Sequence, residues 1–101
     1  MYRNTESYEI VKSVLLEAVP RANVLKSREE GDVLLVINHK YSLYFLNRVA
    51  KSMLMLCNGE RTIKDIIHLL HNRYDVDEQT LTNDIIDAVR DLQIKRIIHV
   101  D

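Results

Sequence analysis

Four kinds of side chain in this sequence could do chemistry: one thiol, two spaced imidazoles, a run of carboxylates and a pair of tyrosines. Cys57 is the single cysteine, and His68 and His71 stand three residues apart. On a helix that spacing brings two imidazoles together, as a metal would need. A metal also needs further ligands, and His68 falls off the apolar stripe of its segment, as a solvated residue does. A thiol becomes a nucleophile as a thiolate, beside a base or a cation. Cys57 falls instead on an apolar stripe with no evident base, the setting of a packed thiol. The sequence has no glycine-rich phosphate loop, no paired catalytic carboxylates and no Ser/His/Asp set. The expectation is a protein that is not an enzyme and carries no metal or cofactor.

The tyrosines and carboxylates belong to elements whose patterning says more. Tyr41 to Gly59 reads YSLYFLNRVAKSMLMLCNG, a strand running into a helix without a polar loop. Tyr41, Leu43 and Phe45 share one face at period two, and Ser42, Tyr44 and Leu46 the other. Leu43 and Phe45 are expected to face the core. From Leu46 the period becomes helical, with Leu46, Val49, Ala50, Met53, Leu54 and Cys57 on one stripe. Asn58-Gly59 is the expected stop, because glycine accepts a left-handed conformation.

Helical spacing of Tyr8, Val11, Leu15 and Val19 predicts a helix over residues 5–19, ended by Pro20. Residues 22–26 are a short strand candidate, and SREEGD reads as a polar turn around Gly31. VLLVI, between Asp32 and Asn38, is a strand. The short Asn38-His39-Lys40 connection makes it a hairpin with residues 41–46. Thr62 and Asp65 resemble a capping box, opening a helix with Ile63, Ile66, Ile67, Leu70 and Tyr74 inward. Asp77 caps another, with Leu81, Ile85, Ala88, Val89 and Leu92 inward. KRIIHV closes the chain as a last strand. The fold class is α+β: a winged helix-turn-helix arrangement with a small three-stranded antiparallel sheet on three helices. A helical extension over residues 1–18 precedes a domain over 19–101, and a short strand follows the helices.

The chain has 101 residues with a net charge of −1, 47% apolar and 29% charged. One domain of that size buries a modest core. Nothing global draws it to nucleic acid or to an anionic membrane. The first residues, MYRNTESYEI, lack the basic start and apolar run of a signal peptide. With a lone inward cysteine, the expected compartment is the cytoplasm. Monomer and dimer are both compatible with this pattern.

Several strings together resemble the PqqD family, the RiPP recognition elements. They are Val19-Pro20-Arg21, the hairpin before Leu46-Asn47, VAKSMLMLCNGERTIKDI, Tyr74, and Asn83-Asp84-Ile85 followed by Leu92. The similarity runs from about Val19 to Val100. It departs before the last strand, where the family often has a glycine and this chain has Ile94-Lys95-Arg96. The resemblance implies a non-catalytic chaperone that captures the leader of a ribosomally made precursor peptide. Such a module presents the peptide to a modifying enzyme, often a radical SAM protein, in PQQ biosynthesis or a related pathway. The leader adds as a strand in a groove between the third strand and the third core helix.

On that reading the peptide-binding residues are Tyr41, Ser42, Leu43, Tyr44 and Phe45 on the strand. Thr82, Ile86, Val89, Arg90 and Gln93 join them on the helix, whose core face would be Leu81, Ile85, Ala88 and Leu92. Ile86 and Val89 would hold apolar side chains of the peptide, and Arg90 would favour acidic ones. The competing reading is a DNA-binding winged helix, which needs cations or amides toward phosphates and base edges. TLTNDIIDAVRDLQ offers Asp84, Asp87 and Asp91 against a single Arg90. Three carboxylates oppose a polyanion.

Overall fold

The computed structural model describes residues 5–100; residues 1–4 of the N-terminal extension, and residue 101, lie outside the described residues. In chain order the elements are α1 (Thr5–Leu16), β1 (Pro20–Ala22), β2 (Lys26–Glu30), β3 (Val33–Ile37), β4 (Leu43–Leu46), α2 (Arg48–Leu56), α3 (Ile63–His71), α4 (Glu78–Ile94) and β5 (Ile98–Val100). One sheet is antiparallel with order β2-β3-β4, and a two-stranded sheet pairs β1 with β5. The α+β architecture is as expected, with α2 packed on β3 and β4, and α3 and α4 packed on α2.

Local chemistry explains the helix starts. The Thr62 hydroxyl accepts from the Asp65 N–H at 3.1 Å, and the Asp65 carboxylate accepts from the Thr62 N–H at 3.0 Å, so the capping box is complete. The same Thr62 N–H, first among the causes, holds the exposed Asp65 carboxyl below the usual carboxylate range. Asp77 caps α4 by accepting from the Thr80 N–H at 3.0 Å. Asn47 caps α2 through the Ala50 N–H at 2.9 Å, so a single polar residue separates β4 from α2.

Four expectations need correction. The SREEGD segment is a strand for its first four residues, because β2 pairs with β3 from Lys26↔Ile37 to Glu30↔Val33. Every β2 side chain is exposed, so it carries no hydrophobic period to read. The predicted strand over 22–26 spans instead the last residue of β1, a connection over 23–25 and the first residue of β2. In β4, Tyr44 and Leu46 point inward, while Leu43 and Phe45 are 55% and 69% exposed. Leu46 sets that parity: it must face the core to lead into α2, and every second residue follows it. Finally, α1 stops at Leu16, and Pro20 opens β1.

The core joins Leu34 and Val36 of β3 and Leu46 of β4 to Met53 and Leu54 of α2, Ile63, Ile66 and Leu70 of α3, and Leu81, Ile85, Ile86, Val89 and Leu92 of α4. Helix α1 packs on α3 and α4, with Tyr8, Leu15 and Leu16 against this cluster. Cys57 is buried in the core, and its Sγ donates to the Met53 carbonyl at 3.2 Å. Burial pushes its thiol from an ordinary 9.0 up to about 12. A raised folded pKa favours the neutral thiol. Its stabilising contribution is therefore complete below pH 9.0 and is lost as pH rises toward about 12. A thiol reagent applied to the native protein at pH 8 should leave Cys57 unmodified, and denaturant should release stoichiometric reaction; rapid native labelling would contradict the burial.

The turn into β5 is strained. Arg96 has φ 59°, in the left-handed region where glycine is at ease. Two hydrogen bonds hold it there, Arg96 N–H to Gln93 O at 3.1 Å and Ile97 N–H to Leu92 O at 2.8 Å. This is a Schellman-type end to α4, with the buried Ile97 as its apolar contact. Arg96→Gly is expected to raise stability by about 0.5–1 kcal/mol, the left-handed cost less the entropy of glycine. Denaturant melts would measure it, and a loss of stability would mean that the turn is unstrained.

Candidate functional site

β4 and α4 form the two walls of an open groove, and one buried side chain connects them. Asn38, at the end of β3, is only 3% exposed and is the one buried polar residue among those described. Its Oδ1 accepts from the Lys40 and Ser42 N–H groups at 2.9 and 3.0 Å, which shapes the β3–β4 turn. Its Nδ2 donates to the Lys95 carbonyl at the end of α4, at 2.8 Å. Tyr41 closes the turn in a left-handed conformation, φ 64°, the position that glycine fills in three-residue hairpin loops. The cost of a non-glycine residue there is offset by Asn38, which holds the loop on both sides.

The groove measures ≈ 590 Å³. Phe45, Leu46 and Asn47 line one wall, Val49, Ala50 and Ala88 the floor, and Asp84, Asp87, Asp91 and Lys95 the other wall. Lys95 sits at one end, with Nζ 2.9 Å from Asp91 Oδ2 and 5.1 Å from the centre of the Tyr44 ring.

β4 is the last strand of its sheet, so alternate backbone N–H and C=O groups along it have no strand partner. The two edges differ. β2 carries Lys26, Arg28, Glu29 and Glu30, charges that discourage another strand, whereas β4 is Leu-Tyr-Phe-Leu. The open edge is apolar, and it borders the groove.

The expected site residues divide. Tyr41, Ser42, Leu43, Tyr44 and Phe45 lie together on or next to the free edge. Ile86 and Val89 are both 0% exposed and belong to the core, which corrects the expectation that Ile86 stands outside the core stripe. The buried face of α4 is Leu81, Ile85, Ile86, Val89 and Leu92, rotated from the expected one, and it leaves Ala88 half-buried in the groove. An aspartate at Ile86 would be an unpaired buried charge and would cost the fold itself. Thr82 faces a different cleft, between α1, α3 and α4, with Lys12, Leu16, Lys64 and His68. Gln93 faces a polar recess beside β5, and Arg90 is half-buried and absent from the groove lining. The residues missed are Asn38, Val49, Ala50, Ala88 and Lys95. The spacing of Asp84, Asp87 and Asp91 held the signal for that wall.

The cleft beside α1 is slightly larger, ≈ 640 Å³, but no sheet edge borders it. No group of three His, Cys, Asp or Glu among the described residues could hold a metal ion, and no helix among them is long and apolar enough to cross a membrane.

Asn38→Ala would strand the Lys95 carbonyl and two turn N–H groups, and should destabilise by about 2–4 kcal/mol. Calorimetry would measure this, and an unchanged thermal midpoint would remove Asn38 as the tie between the walls.

The model of the family described as Coenzyme PQQ synthesis protein D (PqqD) matches residues 33–98, from the start of β3 into β5. It leaves out α1, β1 and the featureless β2, and includes both groove walls. No curated protein matches the sequence. Among solved structures, TbiB1 in complex with the TbiA(β) leader peptide superposes with a TM-score of 0.66 at 18% identity. The superposition covers 76% of this chain and 94% of that one, a likeness of fold. With well over half of its length matched by the family model, this chain belongs to the PqqD family.

Proposed function

We propose that this protein is a non-catalytic peptide chaperone, a RiPP recognition element. It captures the leader of a ribosomally made precursor peptide by strand addition to β4, and presents the remainder to a modifying enzyme. The observation that carries this reading is the apolar free edge of β4 beside an open groove, inside the segment that the family model matches. Strand addition takes affinity from backbone hydrogen bonds along such an edge and selectivity from adjoining pockets. The solved relative in fold is itself a leader-peptide complex, which agrees with the reading.

Residues 41–46 supply the edge. Asp84, Asp87 and Asp91 supply the facing wall, and Ala88 part of the floor. Ile86 and Val89 act from behind, by holding α4 to the core, and do not touch the peptide. Residues 19–101 form the peptide-binding domain and 1–18 its extension, while the modifying enzyme is a radical SAM protein acting in the cytoplasm.

The acidic wall argues against DNA, whose phosphates it would repel. Amide shift mapping should show a leader peptide perturbing residues 41–47 and 84–95, and low-salt titration with duplex DNA should show no saturable binding. Shifts gathered on 61–71, or a salt-sensitive DNA curve, would overturn the proposal.

A further inference from the structure

The groove has two chemically different sides, and a strand added to β4 would meet both. Successive side chains of a strand point to opposite faces of the sheet. Those on the helix side enter a space floored by Val49, Ala50 and Ala88 and walled by Asp84, Asp87 and Asp91. Those on the other side stand beside Leu43 and Phe45, about 5 Å away as cross-strand neighbours. Leu43 and Phe45 are exposed, and behind them lie Ile37 and Leu35, their register partners in β3.

We propose that the groove selects a strand of alternating character, basic toward α4 and apolar toward solvent. This rests on β4 being the edge to which a peptide adds. The floor suits the aliphatic stem of lysine or arginine, and the aspartates suit its charged head. Lys95 engages Asp91 at one end of the wall, and Asp84 stands exposed at the other. Asp84 and Asp91 are two helical turns apart, about 10.5 Å. Same-face residues of a strand repeat every 6.5–7 Å or so, so two basic side chains of one strand fall within the wall. An acidic leader with inward apolar residues, the expectation built on Arg90 and Ile86, is the reverse of what these surfaces accept. Arg90 is off the groove and Ile86 is core.

The outward apolar residues have a consequence of their own. Added beside Leu43 and Phe45, they extend the uncovered face of the sheet by one strand. A leader so placed is read on two faces, by charge within the groove and by apolar pairing outside it.

The test uses two fluorescein-labelled peptides about ten residues long, the upper range of a natural strand. One alternates valine with lysine, the other valine with glutamate. The lysine probe should bind at least about tenfold more tightly at low salt, with the difference shrinking as salt screens the exposed aspartates. Asp84→Asn/Asp87→Asn/Asp91→Asn should abolish that preference with a near-native thermal midpoint. Should the triple variant fail to fold, Asp84→Asn alone should reduce it. Glutamate binding as tight, with amide shifts on residues 43–46, would overturn the charge selectivity and leave strand addition standing. Binding of neither probe, or shifts away from 43–46, would overturn strand addition together with the selectivity.

Discussion

Asn38 is where the strand wall and the helix wall of the groove are joined. Its amide donates to the Lys95 carbonyl while its oxygen gathers the Lys40 and Ser42 N–H groups. A buried amide with these bonds made is stable only in this arrangement, because each lost bond would leave a polar group dry. Among the described residues, both left-handed ones that are not glycine, Tyr41 and Arg96, flank this knot. Strain of that kind persists where the surroundings over-determine the backbone, and it is common next to functional sites. Here it fixes the start of β4 and the end of α4 relative to each other.

From that fixed point the rest of the site follows. β3 positions β4 by register, and the inward Leu46 leads the chain through Asn47 into α2. Helix α2 then supplies the groove floor through Val49 and Ala50. Ile85, Ile86 and Val89 hold α4 to the core, which turns Asp84, Asp87 and Asp91 toward the open side. At the opposite edge of the sheet the charges of β2 discourage pairing. Of the two edges of the three-stranded sheet, β4 is thus the inviting one, and it adjoins an open groove.

Much of this was legible from residue patterning. The capping box at Thr62, the cap at Asp77, the β3–β4 hairpin and the burial of Met53, Leu54 and Cys57 follow from local chemistry. β2 was not legible, since KSREE has no buried face and pairing alone makes it a strand. The face of α4 was misjudged because Ile85, Ile86, Ala88 and Val89 crowd one turn. Small Ala88 fits a groove floor as well as a core, and packing decided between them. The parity of β4 was ambiguous for a related reason. Tyr41, Leu43 and Phe45 are as apolar as the inward pair, and the burial of Leu46 breaks the tie. Asn38 gave no sign of its tie to α4, because that partner, the Lys95 carbonyl, lies 57 residues away.

As proposed, β4 is a template for a further strand. Isotope-filtered NOE spectroscopy on labelled protein with an unlabelled leader peptide addresses it directly. Peptide Hα and amide protons should show backbone contacts to those of Leu43 to Leu46, in the alternating pattern of a sheet ladder. Side-chain contacts to Phe45 and Ala88 should accompany them from opposite faces of the peptide. A bound peptide with no backbone contact to β4, lodged instead between α1, α3 and α4, would contradict it.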